Sequence, residues 1–333
     1  MDLFYRRKWF ERLAKLLLLA LVFSMLSAGC GKKARQTVLE DDGESADKES
    51  RQAVEYIDGI PIDENAAVVT VSAADVYEEP DVKSPRVTQV LCNQPVSVIS
   101  SDSGWARVKT VSGITGWIKL KYITHDISSI SGRLFIYRIV VTSREKTVYS
   151  SPGSGATMVN AHMGTEFYAF NSSEDAYEVF LPGNRTGWLK GSGIIRIDPP
   201  NDEIPVTNPE DFASTALRFK GTSYMLNGLT STGIDAPGLV YICARINGID
   251  LPATLEGQLN AGIEIPLDRV RTGDLVFMSG PGDSEEETIS CAGICTGGSN
   301  YIYAGRKTGY VAIGDLYREN PDGIAVRARR IFN

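Results

Sequence analysis

The chain has 333 residues, with 34 Lys and Arg against 41 Asp and Glu, for a net charge of −7. That balance excludes the basic stripe that grips nucleic-acid phosphates, and equally a polybasic hold on an anionic membrane. At this length, with 43% hydrophobic residues, the chain has material for two or three domains, each with a core of its own.

The amino terminus reads as an export signal. Arg6, Arg7, Lys8, Arg12 and Lys15 form a positive region ahead of a ten-residue apolar run, Leu16 to Met25, too short to span a bilayer. Ser27-Ala28-Gly29 then lead to Cys30. The pattern resembles a lipobox, with Ser27 where Leu is commonest and Leu26 one place early. It implies cleavage after residue 29 and lipidation of Cys30, which supplies enough buried methylene groups for stable anchoring. An ordinary secretory signal is the alternative. Gly31 is not the Asp that favours inner-membrane retention, so the expected address is the cell envelope, lipid-anchored and facing the periplasm, on an outer membrane where the host has one. Removing residues 1–29 takes away five basic and two acidic side chains and leaves a net charge near −10.

Residues 30–61 are polar and charged, and are expected to be a tether. From Val68 the texture changes to short β-type runs: Val68–Val71, Val96–Ile99, Trp105–Val108 and Gly116–Ile118. It returns about seventy residues later, from Val140-Val141-Thr142 to Gly187-Trp188-Leu189. Each copy has a Tyr-x-x-Pro turn (Tyr77–Pro80, Tyr149–Pro152) and a closing Gly-Trp (Gly116-Trp117, Gly187-Trp188). The pair resembles two bacterial SH3 domains, at 62–126 and 133–198, each a small all-β barrel. Trp105, Trp117 and Trp188 are then either core aromatics or the lining of a groove for a cell-wall peptide.

Asp198-Pro199-Pro200-Asn201-Asp202 reads as a linker. Asn208-Pro209 opens a helix with Phe212, Ala216 and Phe219 on one face, closed by Gly221. The run Gly221 to Gly238 then resembles the NlpC/P60 signature, in which a glycine-rich stretch leads to D-C-S-G at a helix start. Asn247–Pro252, Gln258, Thr272–Phe277, Ser290–Cys295 and Tyr301–Ala304 match further family segments in order. The resemblance implies an α+β, papain-like domain at 205–333 and a multidomain chain of two SH3-like barrels followed by it. Active members are cysteine peptidases that cut γ-D-glutamyl–diamino-acid bonds in peptidoglycan stem peptides.

The departures fall on the catalytic positions. Ala236 stands where the family has its nucleophilic cysteine, Cys291 where it has the base histidine, and Tyr303 where a third polar residue orients that histidine. His125 and His162, the only histidines, lie outside the domain, so no imidazole is expected as a base. Ser231, Thr230 and Thr232 precede the helix with no base in view. These changes read as divergence to a pseudoenzyme. Tyr224 and Asp235 match positions that hold the free amino end of a stem peptide. The other role open to them is packing for Tyr224 and helix capping for Asp235. Leu226 and Asn227 replace the signature's W-G, and Ala253–Leu255 a more polar stretch.

Five cysteines with no C-x-x-C spacing argue against zinc, and neither metal nor cofactor is expected. If positions 236 and 291 face each other as in the family, Cys243 and Cys295 either approach as a disulfide or remain two buried thiols. The sequence thus predicts an envelope lipoprotein that binds stem peptides without cutting them, or that positions a wall hydrolase or another envelope protein. The rivals are an active cysteine-type endopeptidase with a non-standard site, and a protein–protein scaffold built on the SH3-like modules.

Overall fold

The computed structural model describes residues 55–332 apart from 132, 200–202 and 281–287. The signal segment, Cys30 and the tether as far as residue 54 lie outside the described residues. Where the tether was expected to end, strands β1 (Tyr56–Ile57) and β2 (Ile60–Pro61) form a hairpin. Asp58 and Gly59 turn it with positive φ at both positions, as a two-residue hairpin loop requires. Ile57 and Ile60 are buried, so two apolar side chains order a segment whose average composition is polar.

The first SH3-like module comprises β3 (Ala66–Val69), β4 (Ala73–Tyr77), β5 (Arg86–Leu91), β6 (Pro95–Asp102), β7 (Trp105–Thr110), β8 (Thr115–Lys119) and β9 (Ile123–Thr124). The second comprises β10 (Tyr137–Val141), β11 (Glu145–Ser151), β12 (Ser154–His162), β13 (Glu166–Ser173), β14 (Ala176–Leu181), β15 (Arg185–Lys190) and β16 (Ile194–Ile197). Their sheet orders, β5-β4-β8-β7-β6-β3-β9 and β12-β11-β15-β14-β13-β10-β16, are the same topology. The repeat extends to register: Tyr77 pairs with Trp117, and Tyr149 with Trp188. Each sheet is open, its two end strands paired on one side only, where closed barrels were expected.

The closing Gly-Trp motif has a steric cause. A Cβ on Gly116 would lie 2.6 Å from the Tyr77 carbonyl oxygen, and one on Gly187 would lie 2.6 Å from Val148 Cγ1. Only glycine lets the strands approach that closely. Ile118 and Leu189 then enter the cores, while Trp105, Trp117 and Trp188 remain half-buried. The tryptophans are therefore not core residues, because strand alternation turns them to the opposite face.

The third domain contains α1 (Pro209–Leu217), the short strands β17 (Leu229–Thr230) and β18 (Gly233–Ile234), α2 (Ala236–Ile246) and α3 (Leu255–Leu259). Its sheet has the order β19-β24-β20-β21-β22-β23, made of β19 (Ile263–Ile265), β20 (Leu275–Ser279), β21 (Ile289–Gly297), β22 (Asn300–Ala304), β23 (Val311–Asp315) and β24 (Ile324–Arg330). Asn208 caps α1 by accepting from the Asp211 N–H at 2.8 Å, worth about 1 kcal/mol. The helical face predicted from Leu239, Val240, Ile242, Cys243 and Ile246 is buried against Phe277, Ala292, Ile294 and Ile302 of the sheet.

The cores are not separate. Leu91 of the first module and Val140 and Met163 of the second belong to the same apolar cluster as α1 and α2. Ile57 of the hairpin packs with Val68, Ile130, Tyr168 and Phe180. The described residues form one compact unit.

Candidate functional site

Along β21, alternation sends Ala292 and Ile294 toward the helices and Cys291 and Cys295 to the opposite face. On β22, Tyr303 shares the face of Cys291. Helix α2 begins at the edge of that face, so Ala236, Cys291 and Tyr303 fall in one buried cluster. The three positions singled out from the sequence are therefore brought together in space.

Their chemistry is that of neutral groups. Ala236 presents a methyl. The Cys291 thiol is directed at the carbonyl oxygens of Ala304, at 3.6 Å, and Ala292, at 3.7 Å. Burial pushes it well above the usual thiol range, and the nearby Asp322 and Asp235 carboxylates push it further. These surroundings favour the thiol over the thiolate that attacks a carbonyl. Tyr303 Oη lies 3.2 Å from Thr308 Oγ1, which donates to Asp322 Oδ2 at 2.6 Å. Asp322 also accepts the backbone N–H groups of Lys307 and Thr308. Its carboxylate is committed to holding this loop.

Asp235 is the N-cap of α2. Its Oδ1 accepts from the Gly238 N–H and its Oδ2 from the Asn227 N–H, each at 2.8 Å. Pro237, in the first turn, has no N–H to leave unsatisfied. Burial pushes the Asp235 carboxyl up to about 6 against the pull of those two N–H groups and the Arg86 charge. Tyr224 is half-buried nearby, and burial together with the Asp235 charge pushes its phenol up to about 12. Gln258 is fully buried and donates to the Pro237 carbonyl at 2.8 Å and the Pro252 carbonyl at 2.9 Å. It fastens α3 to the start of α2.

Tyr224, Asp235, Ala236, Cys291 and Asp322 line a cleft of about 540 Å³. Arg306 and Lys307 stand exposed at its rim, and Val87, Thr88 and Ile114 of the first SH3-like module form one wall. That module is fixed in place by specific bonds. Arg86 donates to the Leu226 carbonyl at 2.8 Å, Asn227 Nδ2 to the Arg86 carbonyl at 2.6 Å, and the Leu229 N–H to Gln89 Oε1 at 2.9 Å. Leu226 and Asn227, which depart from the signature, thus serve this interface. The sequence offered no signal for the shared wall, since the contacting residues lie about 140 positions apart.

His162 was also set aside as distant. Its Nδ1 lies 3.1 Å from Ser231 Oγ, and Glu145 Oε1 is 4.0 Å from the same nitrogen. Serine and carboxylate thus approach one ring atom, which cannot relay a proton between them as a catalytic triad does. Burial lowers the His162 pKa, and the contact joins the second SH3-like module to the third domain.

Cys92, Cys243, Cys291 and Cys295 are all free and buried. Cys243 lies in the helix-side cluster and Cys295 on the other face of β21, so the disulfide considered from spacing does not form. Among the described residues, no group of three or more His, Cys, Asp or Glu side chains converges as a metal site needs.

Residues 221–330 match the NlpC/P60 family model, and residues 72–124 match the bacterial SH3 domain model. Residues 221–330 are thus an NlpC/P60 domain. It is 25% identical over 238 residues to a γ-D-glutamyl-L-lysine dipeptidyl-peptidase of Bacillus subtilis, covering 67% of this chain and 73% of that one. A dipeptidyl-peptidase 6 of Lysinibacillus sphaericus is 24% identical over 223 residues, covering 64% and 82%. A crystal structure of an NlpC/P60 family protein from Bacillus cereus superposes with a TM-score of 0.72 at 21% identity, covering 80% of this chain and 99% of that one. The chain therefore shares that fold through the SH3-like region as well as the NlpC/P60 domain.

Proposed function

We propose that this NlpC/P60 protein binds peptidoglycan stem peptides without cleaving them, as a lipid-anchored component of the cell envelope. The observation that carries the reading is the coexistence of an open cleft with an alanine at the start of α2. The cleft has room for a ligand, while Ala236, Cys291 and Tyr303 supply neither nucleophile nor base where the resemblance puts them. An acyl-enzyme requires a nucleophile within reach of a base, and these three positions hold a methyl, a thiol whose burial disfavours the thiolate, and a phenol.

The charges of the cleft suit a dipolar peptide. Asp235 at its floor faces a ligand ammonium, and Arg306 and Lys307 at its rim face a carboxylate. A stem peptide with a free amino end and an α-carboxylate on its γ-linked D-glutamate has both. The Bacillus subtilis relative is named for a γ-D-glutamyl bond, which supports this ligand class. The signal segment and Cys30 support an envelope address. Positioning a genuine wall hydrolase is the role such a binder would serve.

Calorimetric titration with the tripeptide L-Ala-γ-D-Glu-diaminopimelate tests the reading. It predicts saturable binding that weakens at least tenfold in Arg306→Ala/Lys307→Ala and falls as salt rises. Absence of binding, or binding indifferent to that double variant, would reject it.

A further inference from the structure

A second cavity, of about 430 Å³, lies against the first SH3-like module, within the roughly 300–1,000 Å³ range of small-ligand sites. Asp75 and Tyr77 from β4, Gln89 from β5 and Tyr122 after β8 line it, and Thr230 and Thr232 of the third domain close it. None of these residues takes part in the peptide cleft.

The charges here are already spent. Asp75 Oδ1 accepts from Arg86 at 3.1 Å and Gln89 at 2.8 Å, and its Oδ2 accepts from Tyr77 Oη at 3.1 Å. Lys119, also in the lining, holds its ammonium 5.6 Å from the Trp105 ring centroid, a cation–π distance. A phosphate needs several converging cations, and an ammonium ligand needs a carboxylate not already paired with a cation, as Asp75 is with Arg86. This groove offers neither. It offers two tyrosine rings, threonine hydroxyls and the His162 imidazole, whose Nδ1 faces Ser231. Tyr77 is held by edge-on contact with Trp105, with centroids 5.7 Å apart at 88°. The Thr230 and Thr232 hydroxyls lie 2.9 Å apart. Adjacent hydroxyls beside aromatic faces complement a ligand with neutral hydroxyls on its edge and C–H groups on its faces.

The groove and the peptide cleft share a wall. Thr88 and Leu229 line the cleft, and their chain neighbours Gln89 and Thr230 line the groove. The bond from the Leu229 N–H to Gln89 Oε1 is the seam between them.

From this arrangement we infer that the groove is a binding site for a neutral glycan. The inference stands apart from the peptide reading, because its probe carries no peptide and the cleft plays no part in the readout. Titration of the full chain with the N-acetylglucosamine tetramer, followed by tryptophan fluorescence, is the test. We expect saturable binding whose fluorescence change disappears in Trp105→Phe. Affinity should fall at least tenfold in Tyr122→Ala and at least threefold in Thr232→Val, a change at an exposed position that leaves folding intact. Inorganic phosphate should not displace the tetramer. No saturation up to about 10 mM, a limit corresponding to negligible affinity, would overturn the inference. So would binding that Tyr122→Ala and Thr232→Val leave unchanged, or displacement by phosphate.

Discussion

Arg245, in the last turn of α2, meets Glu166 at the start of β13 at 2.5 Å, so the helix that begins at the candidate site ends in an ion pair with the second SH3-like module. Arg245 also reaches Asp58 in the hairpin at 2.7 Å, and Arg138 pairs with both carboxylates. Asn93 of the first module donates to the Glu166 carbonyl at 3.1 Å. Hairpin, both SH3-like modules and α2 thus converge on one network of largely buried charges. The peptide cleft, walled by one module and floored by the helix, depends on that junction for its shape.

Removing one partner of a buried ionic network leaves the others uncompensated, which costs about 3–5 kcal/mol. Arg245→Met should lower stability by that order at pH 7, read from urea midpoints. The pH dependence has a definite sign. Burial alone would raise the Asp58 carboxyl, but Arg245 and Arg138 outweigh it and hold it below its usual value of 3.8. Its contribution is therefore present above about pH 4 and lost as pH falls through the folded value. The gap between wild type and variant should narrow on acidification below that point.

Asp235 has the opposite sign. Its carboxyl is raised from 3.8 to about 6, chiefly by burial, so the fold prefers it protonated. Its contribution is complete below pH 3.8 and is lost as pH rises through 6, a change of ~3 kcal/mol. Asp235→Asn removes that dependence. It also turns one acceptor into a donor facing a backbone N–H, at a cost of about 1–3 kcal/mol. The variant should be the less stable protein at pH 4, and the difference should shrink by ~2 kcal/mol by pH 7 in chemical denaturation.

The two closing glycines should respond unequally to alanine. At Gly116 the added methyl meets a backbone oxygen at 2.6 Å, which cannot move without its strand. At Gly187 the nearest atom is a valine methyl, and the backbone oxygen is 3.2 Å away. Gly116→Ala should cost about 3 kcal/mol and Gly187→Ala about 1–2 kcal/mol, measured as thermal midpoint shifts.

The four buried thiols should behave as inert groups. Burial raises Cys92, Cys243, Cys291 and Cys295 alike. In iodoacetamide labelling at pH 8, none should react in the native protein and all four should react in denaturant. Rapid native labelling of Cys291 would show an activated thiol at the site.

Local signals carried most of the fold. The Tyr-x-x-Pro and Gly-Trp spacings marked both SH3-like modules because each reports a close strand approach fixed by neighbours in the same module. The apolar spacing from Leu239 to Ile246 marked α2, and the ordered family segments placed Ala236, Cys291 and Tyr303. What stayed hidden depends on pairs far apart in the chain. Arg245 meets Asp58 across 187 positions, and His162 meets Ser231 across 69. The cleft wall from Val87 and Thr88 is of the same kind. The tryptophans misled because a half-buried aromatic on a strand has the same pattern as a core one. The hairpin at 56–61 was masked by the polar average around it, although Asp58-Gly59 between isoleucines is a turn signal.

The most direct measurement of the central claim is incubation of the purified protein with L-Ala-γ-D-Glu-diaminopimelate, with products resolved by liquid chromatography and mass spectrometry. The account predicts that the peptide is bound and recovered whole. Release of diaminopimelate, abolished by Cys291→Ala, would contradict it.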